Sequence, residues 1–316
     1  MGERLYACFR LAVNTSVAMI LICLLGRCAA AQEVALTVDD LPNHAPMPAG
    51  VTRVDVTKRM LAALADAKLN GIVYGFINAG KLETHPEEIE VLKLWREAGQ
   101  PLGNHTYTHI NFSDNPAMAF EENIDKNEPM LKQLMEGQDW HWFRYPYLHE
   151  GDTLEKRHAV RGYLKEHGYR TAQVTLDFED YMWNGPYARC MDKKDEKSIA
   201  WLKESYLQTA KEYLTLDQEM SRQIFGRNVK HVLLMHIGAF DAVMLPDLLA
   251  QMKKDGFKFI SLEEAESDPA YLSDPDAALV DGGTLLDQFY DSKKLKYPPH
   301  ADKPRKELAA LCTDPK

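Results

Sequence analysis

"EVALTVDD", residues 33–40, decides how the rest of the chain is read. Val34 to Val38 carry no charge and favour extended backbone, so the run reads as a buried strand that stops at two carboxylates, Asp39 and Asp40. Helical spacing follows, with Val54, Met60, Leu61, Leu64 and Leu69 as its apolar positions. "GIVYGFIN" (71–78) is a second buried strand. "PEEIEVLKLWREAG" (86–99) is a helix, with Pro86 near its first turn and Gly99 at its end. "PLGNHT" (101–106) is short and extended. "AFEENIDKNEPMLKQLM" (119–135) is helical, with Pro129 expected to kink or divide it.

The same alternation continues to residue 265. "WHWFRYPY" (140–147) and "YRTAQVTLD" (169–177) read as strands on either side of the helix "LEKRHAVRGYLKEHG" (154–168). One long helix or two span residues 198–224. "VKHVLLMHI" (229–237) is the most apolar strand, and a last helix and strand follow. Strand and helix taking turns in this way imply a parallel sheet or barrel covered by helices. Residues 267–316 are rich in Asp, Pro and Lys and read as a C-terminal extension packed on the barrel.

Length and charge narrow the function. The chain has 316 residues, 45% of them hydrophobic, enough for one large core. A net charge of -10 with no basic stripe argues against a nucleic-acid partner, because phosphate contacts need clustered Lys and Arg. Residues 1–31 have the layout of a cleaved signal peptide: Arg4 and Arg10, an apolar run from Val17 to Leu25, then Ala29 and Ala31 before the cut. That run is too short for a membrane anchor. An exported protein, periplasmic or secreted and with no stable membrane span after cleavage, is therefore expected. A lipid anchor on Cys28 is the minor alternative, weakened by Arg27 where a small residue is needed. Cleavage leaves Cys190 and Cys312, which pair or remain free thiols. Oligomeric state is not readable.

In sheets and barrels of this kind the working residues sit at the C-terminal ends of the strands. Asp39 and Asp40 end the first strand, His105 ends the third, and His109 is one turn on. Arg144 and Tyr147 fall on and after the fourth, Asp177 and Asp180 after the fifth, and His236 at the end of the most apolar one. Each has a bland reading: a turn, a helix surface, a salt bridge, a core histidine. Ionisable groups recurring at one end of successive strands are not something a core requires.

The chemistry coheres. His105, His109 and Asp40 make a two-imidazole, one-carboxylate site for a divalent metal with positions left open. Zinc is expected, and cobalt or nickel would suit the same ligands. Asp39 is placed as general base toward a metal-bound water, whose pKa falls from 15.7 toward ~7. Arg144 would keep Asp39 ionised, and His236 would protonate the leaving group. The reaction is hydrolysis of an acyl bond without a covalent intermediate.

Five motifs in order now carry a resemblance: "TVDD" with Val38 for Phe, "HTYTH", "RYPY" with Tyr145 for Pro, "DFEDY" with Tyr181 for Trp, and "LMH". Together, over about residues 33–265, they resemble the polysaccharide deacetylases of carbohydrate esterase family 4, the NodB-homology domain. The resemblance implies a distorted (β/α) barrel of seven or eight parallel strands over residues 32–266. It also implies metal-dependent removal of N-acetyl, in some members O-acetyl, groups from an acetylated glycan. By motif position Asp39 would be the base, Asp40, His105 and His109 the ligands, and Arg144 the tether of Asp39. Tyr147 would lend its backbone N–H to the oxyanion. Asp180 would orient His236, the acid. Leu234 and Tyr181 would wall the acetyl pocket, with Trp183 as a substitute for Tyr181. "NGPYARCMDKKDEKS" (184–198) is expected as a loop beside the groove. His44 either reaches the substrate or is an exposed turn residue. The rival readings are a hydrolase of another non-peptide amide on this scaffold and a non-catalytic sugar-binding homologue.

Overall fold

Ten-residue β1 (Gln32–Leu41) is the hub of the sheet, and nine of its positions are buried. In the computed structural model, which describes residues 32–314, β1 lies parallel to three partners. β6 (His231–His236) runs along residues 34–39, β7 (Phe257–Ile260) along 32–35, and β2 (Tyr74–Ile77) beside the later part. Burial on both faces explains the near-continuous apolar run, since only a half-exposed strand needs alternation. Beyond β2 come β3 (Leu102–Asn104), β4 (Trp142–Phe143) and β5 (Arg170–Thr171), giving the order β5-β4-β3-β2-β1-β6 with β7 on β1. All pairings are parallel, seven strands among the described residues.

The two ends of that order are joined through one segment. β5 pairs with β4, and five residues later Leu176 bridges Leu233 of β6. The Leu234 N–H donates to the Leu176 carbonyl at 3.1 Å. The result is the distorted barrel: its fourth and fifth staves are two residues each, much shorter than the runs "WHWFRYPY" and "YRTAQVTLD" predict. Past Phe143 and Thr171 the backbone leaves the ladder.

Helices cover the sheet: α1 (Arg53–Asp66), α2 (Ile89–Glu97), α3 (Ala117–Leu134), α4 (Leu154–Glu166), α5 (Asn184–Asp192), α6 (Glu196–Phe225), α7 (Ala239–Lys254) and α8 (Leu262–Glu266). Thr52 opens α1 with a capping box closed by Asp55. α3 passes through Pro129 unbroken. The ring costs one hydrogen bond, to the carbonyl of Asp125, and both residues are exposed, so water can take that carbonyl. The single helix α6 spans 30 residues. Residues 184–198 are not the expected loop. They form α5 and the start of α6, because Pro186 falls in a first turn, where its missing N–H has no helical partner to lose.

The last segment carries α9 (Leu285–Lys293) and α10 (Arg305–Ala310). Leu286 and Tyr290 of α9 pack on Leu216 and Met220 of α6. Cys312 is bonded to Cys190 of α5, 122 residues away in sequence. Arg157 of α4 reaches Asp274 at 2.9 Å. Residues 1–31, expected as a signal peptide and including Cys28, lie outside the described residues. No helix among those described is long and apolar enough to cross a membrane.

Candidate active site

A regular strand sends successive side chains to opposite faces. β1 breaks that rule at its end. Its register with β2 slips between Val38 and Leu41, and Asp40 takes a left-handed φ of 71°. Asp39 and Asp40 therefore both line one cavity of about 550 Å³ at the C-terminal ends of the strands.

Asp39 is held from below. Arg144, fully buried, donates from Nη1 to both carboxylate oxygens at 3.2 Å. Its Nη2 bonds Thr37 Oγ1 at 3.1 Å and its Nε the Ala172 carbonyl at 2.7 Å, and its plane lies 4.8 Å from the Phe76 ring. Every direction of the guanidinium is thus fixed. Burial pushes Asp39 up to about 6, with Arg144 and His236 opposing and the charge of Asp40 adding. A carboxylate so poised can take a proton near neutral pH.

Asp40, His105 and His109 converge. His109 Nε2 is 3.3 Å and His105 Nε2 3.9 Å from Asp40 Oδ1, and one donor atom from each of the three residues lies within 4.8 Å of the others. His105 Nδ1 stands 2.8 Å from the Arg144 carbonyl, so the proton belongs there and Nε2 turns its lone pair to the site. Burial holds His105 well below its usual range and takes His109 to about 4. Two neutral imidazoles and an ionised carboxylate suit a divalent metal ion.

Two further groups reach Asp40. His44 Nδ1 lies 2.7 Å from Oδ2, and its ring is 4.7 Å from that of His236. His44 is therefore a wall of the cavity and not an exposed turn residue. Lys81, absent from the sequence reading, places Nζ 3.3 Å from Asp40 Oδ1, 3.1 Å from its carbonyl and 2.8 Å from that of Asn43. Against burial, Lys81, His44 and His109 hold Asp40 well below the usual carboxylate range. The one available signal was position: Lys81 follows a strand end, as the other site residues do.

His236 stands across the cavity. Asp180, fully buried, takes its backbone N–H at 2.7 Å and pairs with Nδ1 at 2.7 Å, leaving Nε2 for the cavity. Although burial opposes it, Asp180 raises His236 to about 10. Leu234 and Tyr181 also line the cavity, the Tyr181 ring 5.4 Å from that of His236. Trp183 does not take that place. Its ring is fully buried beside Phe178 and Tyr206, and Nε1 bonds Ser205 at 2.9 Å, so the apolar core claims it. Tyr147, at a φ of 58°, exposes its ring at the mouth, 4.4 Å from His109. Asp177 lines the cavity farther in, with Oδ1 on the Glu179 N–H.

Comparison with known proteins bears on part of the chain and on its fold. Residues 26–172 match the polysaccharide deacetylase family, a span that holds the TVDD, HTYTH and RYPY motifs. A chitin deacetylase of Arthroderma benhamiae is 26% identical over 157 residues, 50% of this chain and 37% of that protein, so the chain matches well under half of its relative's length. Among solved structures, a mutant CE4-family pseudoenzyme with restored enzymatic activity superposes with a TM-score of 0.51 at 18% identity, over 74% of this chain and 67% of that one. The wild-type pseudoenzyme, from Bacillus anthracis, gives 0.50 at 17%, over 74% and 65%. At such identities the likeness is one of fold. With the five ordered motifs beside the family match, the chain is similar to the polysaccharide deacetylases over residues 26–172 and shares the fold of carbohydrate esterase family 4 structures.

Proposed function

We propose that the protein is a metal-dependent hydrolase that removes N-acetyl groups, with O-acetyl groups as a second class, from an acetylated saccharide. One observation carries the reading. Asp39, anchored by Arg144, and His236, anchored by Asp180, line a single cavity with Asp40, His105 and His109.

The residues divide the work. Asp40, His105 and His109 would hold the divalent ion, zinc by preference, which when bound polarises the acetyl carbonyl and acidifies an adjacent water. Asp39 takes the proton from the attacking water, and Arg144 fixes its orientation. The backbone N–H of Tyr147 donates to the oxyanion as the carbonyl carbon becomes tetrahedral. His236 gives a proton to the departing nitrogen, and Asp180 keeps that proton on the ring until it is needed. Leu234 and Tyr181 enclose the methyl group.

Acetate release from a panel of N- and O-acetylated glycans tests the proposal, with protein stripped by chelator and then reloaded with zinc, cobalt or nickel. Asp39→Asn should keep the metal and lose ~100- to 10,000-fold in turnover, the usual worth of a general base. Near-normal deacetylation by that variant would remove Asp39 from the role. Metal binding without acetate release from any glycan would favour the sugar-binding reading.

A further inference from the structure

The cavity has a wall that the five motifs do not contribute. Eight residues between Asp281 and Lys303 line it together with Tyr213, Leu216, Asp217 and Met220 of α6. This last segment is closed against the barrel rim at both ends and along its middle. At one end, Gly282 has a left-handed φ of 71°, and a Cβ there would collide with the Tyr147 carbonyl and the His149 ring. At the other, Lys303 pairs with Glu179 at 3.2 Å and stacks 4.2 Å over the Tyr213 ring, whose hydroxyl bonds the Ala301 carbonyl at 3.1 Å. Between them Leu286 and Tyr290 pack on Leu216 and Met220. The Cys190–Cys312 bond fastens the end of the segment. These contacts hold the segment against the cavity on that side.

We propose, resting on the deacetylase reading above, that the site takes a short N-acetylated oligosaccharide or the end of a longer chain, and does not act within a polymer. An interior residue needs a way out on both sides of the acetyl group. Here the segment 281–303 blocks one, and the exposed rings of Tyr147 and Tyr181 mark the mouth on the other. The cavity volume, about 550 Å³, falls in the range of small-molecule sites.

The far wall is also chemically suited to a sugar. Asp217 is 6% exposed and lines the cavity, with one oxygen on the Asp177 N–H at 3.2 Å. Burial, with Asp287 and Asp177 nearby, holds its carboxyl well above the usual range. A protonated acid both donates and accepts, as a sugar hydroxyl does. We assign Asp217 to the binding of the sugar unit deepest in the pocket.

Zinc-loaded protein is assayed on N-acetylglucosamine oligomers of one to six units and on a soluble N-acetylated glucosamine polymer. Acetate is quantified, and product positions are read by mass spectrometry. The expected result is a kcat/KM that stops rising after two or three units, with terminal residues alone deacetylated. Asp217→Ala should raise KM for the short oligomers roughly 3- to 10-fold at near-constant kcat, the worth of one hydrogen bond, and Asp217→Asn, whose amide also donates and accepts, should restore most of it. A kcat/KM that climbs through the hexamer, or loss of interior acetyl groups from the polymer, overturns the inference and leaves the deacetylase reading standing. An unchanged KM in Asp217→Ala likewise overturns the sugar contact. Acetate from no substrate of any length overturns both readings.

Discussion

Replacing Asp180 by Asn separates the proton on His236 from the geometry of His236. The amide keeps the size of the carboxylate, and its oxygen can still accept the His236 backbone N–H that Asp180 now takes at 2.7 Å. What is lost is the negative charge beside Nδ1. That charge raises His236 to about 10 against burial, which alone would pull it below 6.5. At about pH 8 a group with pKa 10 is ~99% protonated and one at 6.5 only ~3%, so protonation alone predicts a loss of roughly 30-fold, growing to about 300-fold at pH 9 and levelling off at ~3,000-fold above pH 10. A bound divalent cation shifts both proteins downward together and leaves their difference in place. The assay is kcat/KM for an N-acetyl substrate from about pH 5 to 11. Wild type should give a bell whose acidic limb belongs to Asp39, near 6, and whose basic limb belongs to His236. The basic limb should move down by about three units in the variant, and an O-acetyl substrate, with its better leaving group, should suffer less. Stability follows the same sign. The folded pKa of His236 is raised, so the pair contributes fully below about 6.5 and the contribution is lost as pH rises through about 10. A basic limb that stays in place in Asp180→Asn would refute the assignment of Asp180 as keeper of the proton.

Two other outcomes are expected. His105→Ala removes a ligand whose ring is fixed through the Arg144 carbonyl, and elemental analysis should find most of the metal gone along with the activity; full occupancy would take His105 out of the site. Cys190→Ser should lower the unfolding free energy by about 2–5 kcal/mol, since the bond closes a loop of more than a hundred residues, and calorimetry that finds no fall in Tm would contradict this.

The alternation of apolar strand runs with helical spacing was legible because both periods are local, and so was the placement of Asp39, His105, Arg144 and His236 at strand ends. Helix α5 was not, since "NGPYARC" has loop composition and is helical through anchors distant in sequence. Asn184 donates to Asp241 at 2.6 Å, and Cys190 is tied to Cys312. The same distinction holds inside the site. Tyr181 and Trp183 are two residues apart and either could have walled the proposed acetyl pocket; the packing of Phe178 and Tyr206 buries Trp183 and leaves Tyr181 on the cavity. Lys81 meets Asp40 across 41 positions of chain. The segment 281–303 reaches the cavity only because α9 lies on α6 and Gly282 fits beneath His149. Sequence alone carried the proposed chemistry, because a base, a metal ligand set and an acid need particular residue types in a particular order along the strands. Tertiary structure alone decided the shape of the space around that chemistry, because shape depends on which distant surfaces bury their apolar faces against one another.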